Sequence, residues 1–367
     1  MPKDVERRIM IRILAAGDRF IRSARLRAAL EDRVPGTHDI REIEFPWPDE
    51  PFGTVGEVDE ASGTEEQLIS ALVGVTAVVT QLAPMTARVM DASPELRMIG
   101  VSRGGPTNVN VAAARERGIR VANVPGRNGM ATAEMTIGLA LAALRGIPLS
   151  HDSLMRKQWR GDLYRDDAIG GEIYGSTVGL IGAGAVGGHV ARVMSAMGAH
   201  VVVYDPYLPV GALEGVAEIV PTVEEVFRRS SLVSVHARLT PESANMINAE
   251  RLALLPAGAV LVNAARGGLV NYDAVADAIE SGQLRGAAFD VFPSEPVDFS
   301  SRIVSLAQAG HNIVLTPHIA GASAPTAQRA AEGVAEEVRR YLAGEPALNS
   351  LLDGVPFATA RSEAAQT

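Results

Sequence analysis

The sequence predicts an α/β protein with two parallel-sheet domains, each Rossmann-like or flavodoxin-like, and a cleft between them. Two observations support this prediction. Short apolar runs alternate with helical patterns along most of the 367 residues, which is the βαβ pattern of parallel sheets. A glycine-rich turn at 182–187 also joins an apolar strand to a helix, as in doubly wound sheets. A chain of this length accommodates about two domains.

The first third of the chain predicts one complete α/β unit, in which apolar runs mark strands and helical spacing marks helices. The predicted strands lie near residues 9–15, 40–45, 76–80, 97–101 and 119–123. The predicted helices lie near residues 20–31, 65–73, 86–92 and 108–117. The segment 46–64 is rich in Pro, Gly and acidic residues, which predicts a surface loop.

A pair of helices, predicted at 130–145 and 150–159, separates this unit from a second one. Later apolar runs predict the strands of the second sheet, near 178–181, 201–204, 232–236, 259–263, 286–290 and 312–316. The last long helix, at about 324–343, is expected to return to the first unit and make it discontinuous. The predicted domains are 1–124 completed by 319–352, then 125–318, followed by a flexible tail at 353–367.

Composition argues against several classes of protein. Apolar residues make up 47% of the chain, enough to bury large cores. The net charge of −9 leaves no basic excess to neutralise phosphates, so neither a nucleic-acid nor a membrane partner is expected. The sequence has no Cys, so disulfides and thiolate metal sites are impossible and no metal is predicted. No signal peptide is recognisable at the start, and a cytoplasmic location is expected.

The turn at 182–187 has the glycine spacing of a dinucleotide-binding site. Gly182 permits the tight turn, Gly184 lets the backbone approach a pyrophosphate, and Gly187 allows close packing of helix on strand. The helix N-terminus offers N–H groups and a positive dipole end to the phosphates. Asp205 ends the next strand, where it can accept hydrogen bonds from ribose hydroxyls and would repel a 2′-phosphate. We therefore predict NAD rather than NADP, held by Gly182, Gly184, Ala185, Val186, Gly187 and Asp205.

Three polar residues follow later strands and could carry chemistry. Taken singly, Arg266 could be a surface side chain, Glu295 an exposed loop acid, and His318 a structural histidine. Together they are the groups that oxidation of a 2-hydroxy acid needs. Arg266 can hold a carboxylate in a bidentate fork, and His318 can take the hydroxyl proton and return it. Glu295 beside His318 would favour the imidazolium and fix its tautomer.

Five motifs, in the same order, resemble the D-isomer-specific 2-hydroxyacid dehydrogenase family. They are VSRGGPTNVN (101–110), GLIGAGAVG (179–187), VNAARGGLVN (262–271), FDVFPSEP (289–296) and TPHIAG (316–321). The resemblance runs from about residue 65 to 350. It implies an NAD-dependent oxidoreductase that transfers a hydride between nicotinamide and a D-2-hydroxy acid/2-keto acid pair. It also implies a catalytic trio of Arg266, Glu295 and His318, with His318 as general acid/base.

The resemblance assigns further residues by position. In the substrate-binding first domain it places Arg103, Gly104 and Gly105 beside the substrate, with the glycine amides meeting the carboxylate. The second domain would bind NAD, with Asp290 at the nicotinamide carboxamide. The further cofactor residues implied are His236, Ala237, Thr240, Ala264, Arg266, Asp290, His318 and Gly321. A homodimer held through the cofactor domains and the segment near 130–160 is also implied.

Two features depart from the family. Arg238 replaces the usual proline of a His-x-Pro-Leu-Thr run, where it either alters the adenosine pocket or faces solvent. The stretch between Glu295 and His318 is a few residues longer than usual, so an unusual loop over the site is expected. Past residue 350 there is no room for the regulatory domain of some phosphoglycerate dehydrogenases, so control by serine is not expected.

An alternative function is an NAD(H)-sensing, corepressor-like binding protein, because transcriptional C-terminal-binding proteins keep the same trio on the same fold. Formate dehydrogenase is disfavoured, since that branch carries Gln where this chain has Glu295. Substrate specificity is predicted to lie in residues 81–83, in Arg103 and in the region of Tyr164–Arg165. Arg103 is consistent with a phosphate or second carboxylate on the substrate, and equally with an internal acidic partner.

Overall fold

The computed structural model describes residues 11–47 and 53–351. The tail predicted at 353–367 lies outside the described residues, as do residues 9 and 10 of the first predicted strand. The chain forms two compact units, which divide after Arg127 and after Ala322. Of the described residues, the first unit comprises 11–47, 53–127 and 323–351, and the second comprises Asn128–Ala322.

The first unit alternates strands with helices. Its strands are Arg12–Gly17 (β1), Asp39–Glu44 (β2), Ala77–Thr80 (β3), Met98–Val101 (β4) and Arg120–Asn123 (β5). Its helices are Ser23–Arg33 (α1), Glu65–Ala71 (α2), Ala87–Asp91 (α3), Val111–Glu116 (α4) and Ala324–Ala343 (α12). All five strands pair in parallel in the order β2-β1-β3-β4-β5. This is the flavodoxin-like order, in which ligands bind at the carboxyl ends of the strands where the order reverses.

The last helix, α12, completes the first unit by packing on α1 and β4. It begins at the Ser323 cap, whose hydroxyl accepts the Thr326 N–H at 3.1 Å. Its apolar face buries Val334 and Val338 completely. A Cβ atom on Gly100 of β4 would lie 2.5 Å from Cγ2 of Val334, so glycine is needed for this close approach.

The second unit also alternates strands with helices. Its strands are Thr177–Ile181 (β6), His200–Tyr204 (β7), Glu218–Ile219 (β8), Leu232–Val235 (β9), Ala259–Asn263 (β10), Leu284–Phe289 (β11) and Ile313–Leu315 (β12). Its helices are Gly129–Arg145 (α5), Ile147–Met155 (α6), Gly187–Ala196 (α7), Val223–Arg229 (α8), Ala249–Leu252 (α9), Tyr272–Glu280 (α10) and Arg302–Gln308 (α11).

The second sheet is parallel, in the order β12-β11-β10-β9-β6-β7-β8. The order runs outward from β6 in both directions, which is the Rossmann arrangement, and it reverses between β6 and β9. Two apolar cores flank this sheet, and α5 lies across β10 and β11. The predicted α/β class and its two parallel-sheet units are thereby confirmed.

One sequence-based prediction needs correction. The helix predicted at 150–159 is wrong at both ends, because α6 covers Ile147–Met155. Gly146 ends α5 with a φ of +59°, and Pro148 lies in the first turn of α6, where its missing N–H costs nothing. The stretch between Glu295 and His318 contains helix α11, which was not predicted, and strand β12, which agrees with the strand predicted near 312–316.

No single helix in the described parts of the chain is long and apolar enough to cross a membrane. Helices α5 and α6 pass that test only as a pair, which is bent by 66°. Within residues 11–47 and 53–351, no group of three or more His, Cys, Asp or Glu side chains is arranged to hold a metal ion.

Candidate active site

The glycine-rich turn between β6 and α7 has three glycines in three different environments. Gly182 has a φ of +92°, and a Cβ atom there would lie 2.9 Å from the carbonyl carbon of His236. A Cβ atom on Gly187 would lie 2.2 Å from the carbonyl oxygen of Gly182. Nothing lies within 4 Å of a Cβ atom on Gly184. The first and third glycines are therefore required by packing, while the open backbone at Gly184 fits a pyrophosphate.

Asp205 lies just past the end of β7 and is tied to this turn. Its Oδ2 accepts the N–H of Ala183 at 2.8 Å, and its Oδ1 accepts the N–H of Tyr207 at 2.9 Å. A carboxylate has about four acceptor sites, so two hydrogen bonds leave capacity for ribose hydroxyls. These hydrogen bonds hold the carboxylate next to the glycine turn, and its contact with a ribose stays a prediction.

His236, Ala237 and Thr240 follow β9 on the other side of β6. Desolvation lowers the pKa of His236 to about 4, so its ring is neutral at physiological pH. Its Nε2 lies 3.0 Å from the hydroxyl oxygen of Ser234. Arg238 is exposed, which favours the solvent-facing alternative for this residue, and Thr240 is exposed as well.

Arg266 is presented by a short turn after β10. Asn263 is completely buried and shapes the turn: its Nδ2 donates to the Arg266 carbonyl at 2.9 Å, and its Oδ1 accepts the Ala265 N–H at 3.0 Å. A Cβ atom on Gly267 would lie 1.9 Å from the carbonyl oxygen of Phe292, so glycine is required there. Arg266 itself is exposed and donates to the Ala265 carbonyl at 2.7 Å, which leaves most of its donors available to a ligand.

Glu295 lies in the turn after β11 and is fixed from two sides. Its Oε1 accepts the backbone N–H of Phe292 at 3.0 Å. Its Oε2 lies 2.6 Å from Nδ1 of His318, which leaves Nε2 as the ring nitrogen available to a substrate. The Tyr272 hydroxyl donates to the carbonyl of Val291, and its ring packs on Phe289 at a centroid distance of 4.7 Å. Helix α10, which begins at Tyr272, therefore supports the turn that carries Glu295.

His318 follows β12 in a left-handed backbone conformation, with a φ of +52°. Asp290, at the end of β11, stabilises this segment and is 1% exposed. Its Oδ1 accepts the Thr316 hydroxyl at 2.6 Å and the Ile319 N–H at 3.0 Å, and its Oδ2 accepts the Ala320 N–H at 2.8 Å. Asp290 thus holds the side chain of Thr316 on one side of His318 and the backbone of Ile319 and Ala320 on the other.

The charges of the trio influence one another. The hydrogen bond to Glu295 raises the pKa of His318 above its ordinary value, although burial and the charge of Arg266 act in the opposite direction. Burial alone would raise the pKa of Glu295, but the hydrogen bond and charge of His318, helped by Arg266, bring it below its ordinary value. The pairing therefore widens the pH range in which an imidazolium lies beside a carboxylate, and the guanidinium of Arg266 is close enough to affect both groups.

Two other predicted cofactor residues are buried or closely packed in the second unit. Ala264 is 7% exposed at the end of β10. A Cβ atom on Gly321 would lie 2.6 Å from Nδ2 of Asn128, so a larger residue at this position would have to displace the Asn128 side chain. The contact predicted between Asp290 and the nicotinamide carboxamide stays a prediction. The three internal hydrogen bonds of Asp290 also give this residue a structural role.

The residues predicted beside the substrate belong to the first unit. Arg103 follows β4 and pairs with the carboxylate of Glu60, so the internal acidic partner left open by the sequence exists. The carbonyl of Gly104 accepts Nδ2 of Asn123 at 2.7 Å, and nothing lies within 4 Å of a Cβ atom on Gly105. Gln81 is 6% exposed, whereas Tyr164 of the second unit is 94% exposed.

Sequence reasoning missed three residues that shape the site, namely Asn263, Tyr272 and Thr316. Asn263 hydrogen-bonds the turn that carries Arg266, and Tyr272 hydrogen-bonds the turn that carries Glu295. Thr316 donates to the carboxylate of Asp290, which holds the segment around His318. The one usable signal was Asn263, since a polar residue at the end of an apolar strand needs internal partners when buried. Nothing in the sequence around Tyr272 or Thr316 indicates their contacts, which join segments far apart in the chain.

Comparison with known proteins is consistent with this geometry. Residues 137–320 match the NAD-binding domain of the D-isomer specific 2-hydroxyacid dehydrogenases. The chain is 37% identical over 299 residues to D-3-phosphoglycerate dehydrogenase of Methanocaldococcus jannaschii, covering 80% of this chain and 55% of that protein. It superposes with a TM-score of 0.73 on the TT0316 protein of Thermus thermophilus, at 29% identity, covering 93% of this chain and all of that one.

A further structure shares the fold: D-lactate dehydrogenase with NAD+ from Lactobacillus jensenii, at a TM-score of 0.74 and 24% identity, covering 93% of this chain and 100% of that one. The chain spans about half the length of the curated phosphoglycerate dehydrogenase it matches. The glycine turn, Asp205 and the neutral His236 fit the cofactor named by the matching domain, which is NAD. The chain belongs to the D-isomer specific 2-hydroxyacid dehydrogenase family.

Proposed function

We propose that this protein is an NAD-dependent dehydrogenase that interconverts a D-2-hydroxy acid and the corresponding 2-keto acid. The observation that carries the proposal is the pair formed by His318 and Glu295, with 2.6 Å between Nδ1 and Oε2, under the charge of Arg266. NAD, when bound, supplies the nicotinamide carbon that accepts or returns a hydride. The protein has to hold the acid, move one proton and keep both groups oriented.

Arg266 is proposed to bind the carboxylate of the substrate. It is exposed, and its guanidinium has a single hydrogen bond among the described residues, to the neighbouring carbonyl of Ala265. A planar guanidinium can bind a carboxylate through two parallel hydrogen bonds, which fixes the orientation of the 2-carbon. Its positive charge also polarises the adjacent carbonyl in the direction of reduction.

His318 is proposed as the general acid/base. Because Nδ1 is occupied by Glu295, the proton that moves is the one on Nε2. During reduction Nε2–H donates its proton to the carbonyl oxygen, and during oxidation neutral Nε2 accepts the hydroxyl proton. The raised pKa of His318 increases the fraction of imidazolium at neutral pH, which favours reduction.

Glu295 is proposed to orient His318 rather than to touch the substrate. Its second oxygen is held by the N–H of Phe292, so the carboxylate presents Oε2 to Nδ1 in one fixed geometry. A carboxylate that is hydrogen-bonded in this way selects one tautomer and one ring orientation of the imidazole. The same charge stabilises the imidazolium that forms when a hydroxy acid is oxidised.

We also propose that the protein works as a homodimer. The segment predicted to lie in the interface exposes large apolar side chains at Ile147, Leu154, Met155 and Trp159, the last with 87% of its surface accessible. Exposed apolar patches of this kind mark contact surfaces between proteins. Sedimentation equilibrium of the wild type and of Leu154→Asp tests this proposal, and a wild-type monomer would contradict it. A cytoplasmic location stays a prediction from the sequence.

The activity is tested by following NADH consumption with a panel of 2-keto acids that includes glyoxylate, hydroxypyruvate and phosphorylated members. We expect turnover with at least one of them and oxidation of the matching D-hydroxy acid, but not the L-isomer, with NAD. A protein that binds NADH tightly, measured by quenching of its tryptophan fluorescence, yet turns over none of the panel would overturn the proposal. That result would favour the alternative of an NAD(H)-sensing binding protein.

A further inference from the structure

Tyr272 forms a hydrogen bond with the peptide group that holds Glu295. The residue begins helix α10, and its hydroxyl donates to the carbonyl oxygen of Val291. The N–H of the same peptide group belongs to Phe292, and it donates to Oε1 of Glu295 at 3.0 Å. A peptide group is planar, so the direction of its carbonyl fixes the direction of its N–H. The Tyr272 hydroxyl therefore sets the orientation of the donor that holds the Glu295 carboxylate.

The carboxylate of Glu295 connects this peptide group to the proposed general acid/base. While Oε1 is held by Phe292, Oε2 lies 2.6 Å from Nδ1 of His318. Hydrogen bonds in series polarise one another, so a donor on the Val291 carbonyl also strengthens the hydrogen bond from the Phe292 N–H to Glu295. Tyr272 is thereby linked to His318 through three hydrogen bonds in series.

The Tyr272 hydroxyl is itself held in place. The ring of Tyr272 packs on Phe289 and Phe292, at centroid distances of 4.7 and 6.4 Å. Burial raises the pKa of Tyr272 against the opposing effect of a hydrogen bond with the side chain of Asn263, and the charge of Glu295 raises it further. The hydroxyl therefore stays protonated and remains a donor throughout the physiological pH range.

We propose that Tyr272 is a positioning residue for the general acid/base: its hydroxyl orients the peptide group between Val291 and Phe292, which holds Glu295. The inference rests on the proposed function, in which His318 moves the proton. In the described parts of the chain, the carbonyl of the buried Val291 accepts a hydrogen bond from Tyr272 alone. A buried carbonyl that loses its donor is costly, so without the hydroxyl this peptide group turns toward another partner and carries the Phe292 N–H with it.

The pKa of His318 tests the proposal without turnover, because it responds to how closely Glu295 is held. Tyr272→Phe keeps the ring and removes only the hydroxyl. The imidazole of His318 is titrated by NMR, with its signals assigned by their absence from His318→Ala. The charged groups that influence His318 are Glu295, Asp290 and Arg266, and the substitution alters none of them. A looser hydrogen bond to Glu295 should lower the pKa of His318 by about 0.5 or more relative to the wild type.

Two comparisons distinguish positioning from a general loss of stability. Tyr341→Phe is the matched control, since Tyr341 is a buried tyrosine in a core of the first unit, and it should leave the pKa of His318 unchanged whatever it does to the Tm. In a Glu295→Gln background, Tyr272→Phe should have little further effect on that pKa, because the carboxylate through which Tyr272 acts is gone. A wild-type pKa of His318 in Tyr272→Phe, or the same lowering in both backgrounds, would overturn the proposal.

Steady-state kinetics then connect the position of Glu295 to turnover. With a keto acid that the wild type reduces, kcat of Tyr272→Phe at slightly alkaline pH should be about threefold lower or more, and its fall with rising pH should begin at lower pH. KM should change less, because Arg266 still binds the carboxylate. A change confined to KM, or a pH profile that coincides with the wild type, would also overturn the proposal. If the wild type reduces no keto acid while the titration behaves as expected, the proposed function fails and the effect of Tyr272 on His318 stands.

Discussion

Replacing Glu295 by glutamine tests the central pair of the site with a single change of charge. Oε1 of Glu295 accepts the Phe292 N–H at 3.0 Å, so an amide at this position must turn its oxygen toward Phe292. Its NH2 group then faces Nδ1 of His318, where the carboxylate oxygen was at 2.6 Å. A protonated Nδ1 cannot bond an NH2 donor, so Glu295→Gln should lower the pKa of His318 and reverse its tautomer.

The size of the effect follows from the exposure of the pair. A hydrogen bond between charged groups contributes roughly 1.5–3 kcal/mol when it is well sheltered. The side chains of His318 and Glu295 are 48% and 33% exposed, so solvent screening favours the low end of that range. About 1.4 kcal/mol corresponds to a tenfold change in rate. Reduction by Glu295→Gln at slightly alkaline pH should therefore be about tenfold slower than in the wild type.

The pH profile provides the assay. Reduction needs the imidazolium, so kcat/KM for the keto acid should fall as pH rises through the raised pKa of His318, and in Glu295→Gln the fall should occur at lower pH. Oxidation at high pH should also be slower in Glu295→Gln, because the reversed tautomer carries its proton on Nε2 and leaves no base facing the substrate. A profile of Glu295→Gln that coincides with the wild-type profile would refute the assigned role of the pair.

The same pair makes a prediction about stability. The pKa of His318 is raised by folding, so its contribution is complete below the ordinary histidine pKa and is lost as pH rises through the raised value. The pKa of Glu295 is lowered, so its contribution is present above the ordinary glutamate pKa and is lost as pH falls through the lowered value. The difference in Tm between wild type and Glu295→Gln should therefore be largest at pH 5–6 and shrink toward either side, and a constant difference would contradict the linkage.

Three further substitutions test individual roles. His318→Ala should retain NADH binding but lose about a hundredfold or more in kcat, and full activity would move the proton chemistry elsewhere. Arg266→Lys should raise KM and lower kcat for a monoanionic keto acid, because lysine lacks the planar guanidinium that binds a carboxylate through two hydrogen bonds. The resulting loss in kcat/KM should be about tenfold or more, and it should exceed the loss caused by Arg103→Lys. Asp205→Asn should reduce the preference for NADH over NADPH about tenfold. The amide oxygen can still accept a hydrogen bond from the glycine turn, but the charge that repels a 2′-phosphate is removed. A wild-type protein that prefers NADPH would contradict this assignment.

Local patterns were sufficient to predict most of the regular structure. The apolar runs that predicted strands at 76–80, 97–101 and 259–263 agree with β3, β4 and β10 to within a residue at each end. Buried parallel strands are continuous apolar runs, so they can be predicted from the sequence without knowledge of tertiary contacts. The short strand β8, at Glu218–Ile219, escaped prediction because two exposed residues carry no such pattern.

The contacts that position the trio were not predictable in the same way. Glu295 and His318 were recognised as candidates by residue type and motif, but nothing local indicates that Asp290 bonds Thr316, Ile319 and Ala320. Those bonds depend on two strand ends being adjacent in the sheet and on a left-handed φ at His318, where a non-glycine residue is strained. A sequence motif identifies the side chain that the site needs. It does not show the backbone conformation that hydrogen bonds from distant residues impose on that side chain.

The sheet itself explains why three distant residues meet. Strands β10, β11 and β12 are consecutive neighbours, and their last residues are in register, Asn263 with Phe289 and Phe289 with Leu315. The turns that follow these strands therefore leave the same edge of the sheet side by side, carrying Arg266, Glu295 and His318. Parallel strands always end on one edge, so polar residues shortly after successive strands converge even when long helices separate them in sequence. The site is thus set by the order of the strands, and the buried polar residues Asn263 and Asp290 fix the turns in which its side chains are presented.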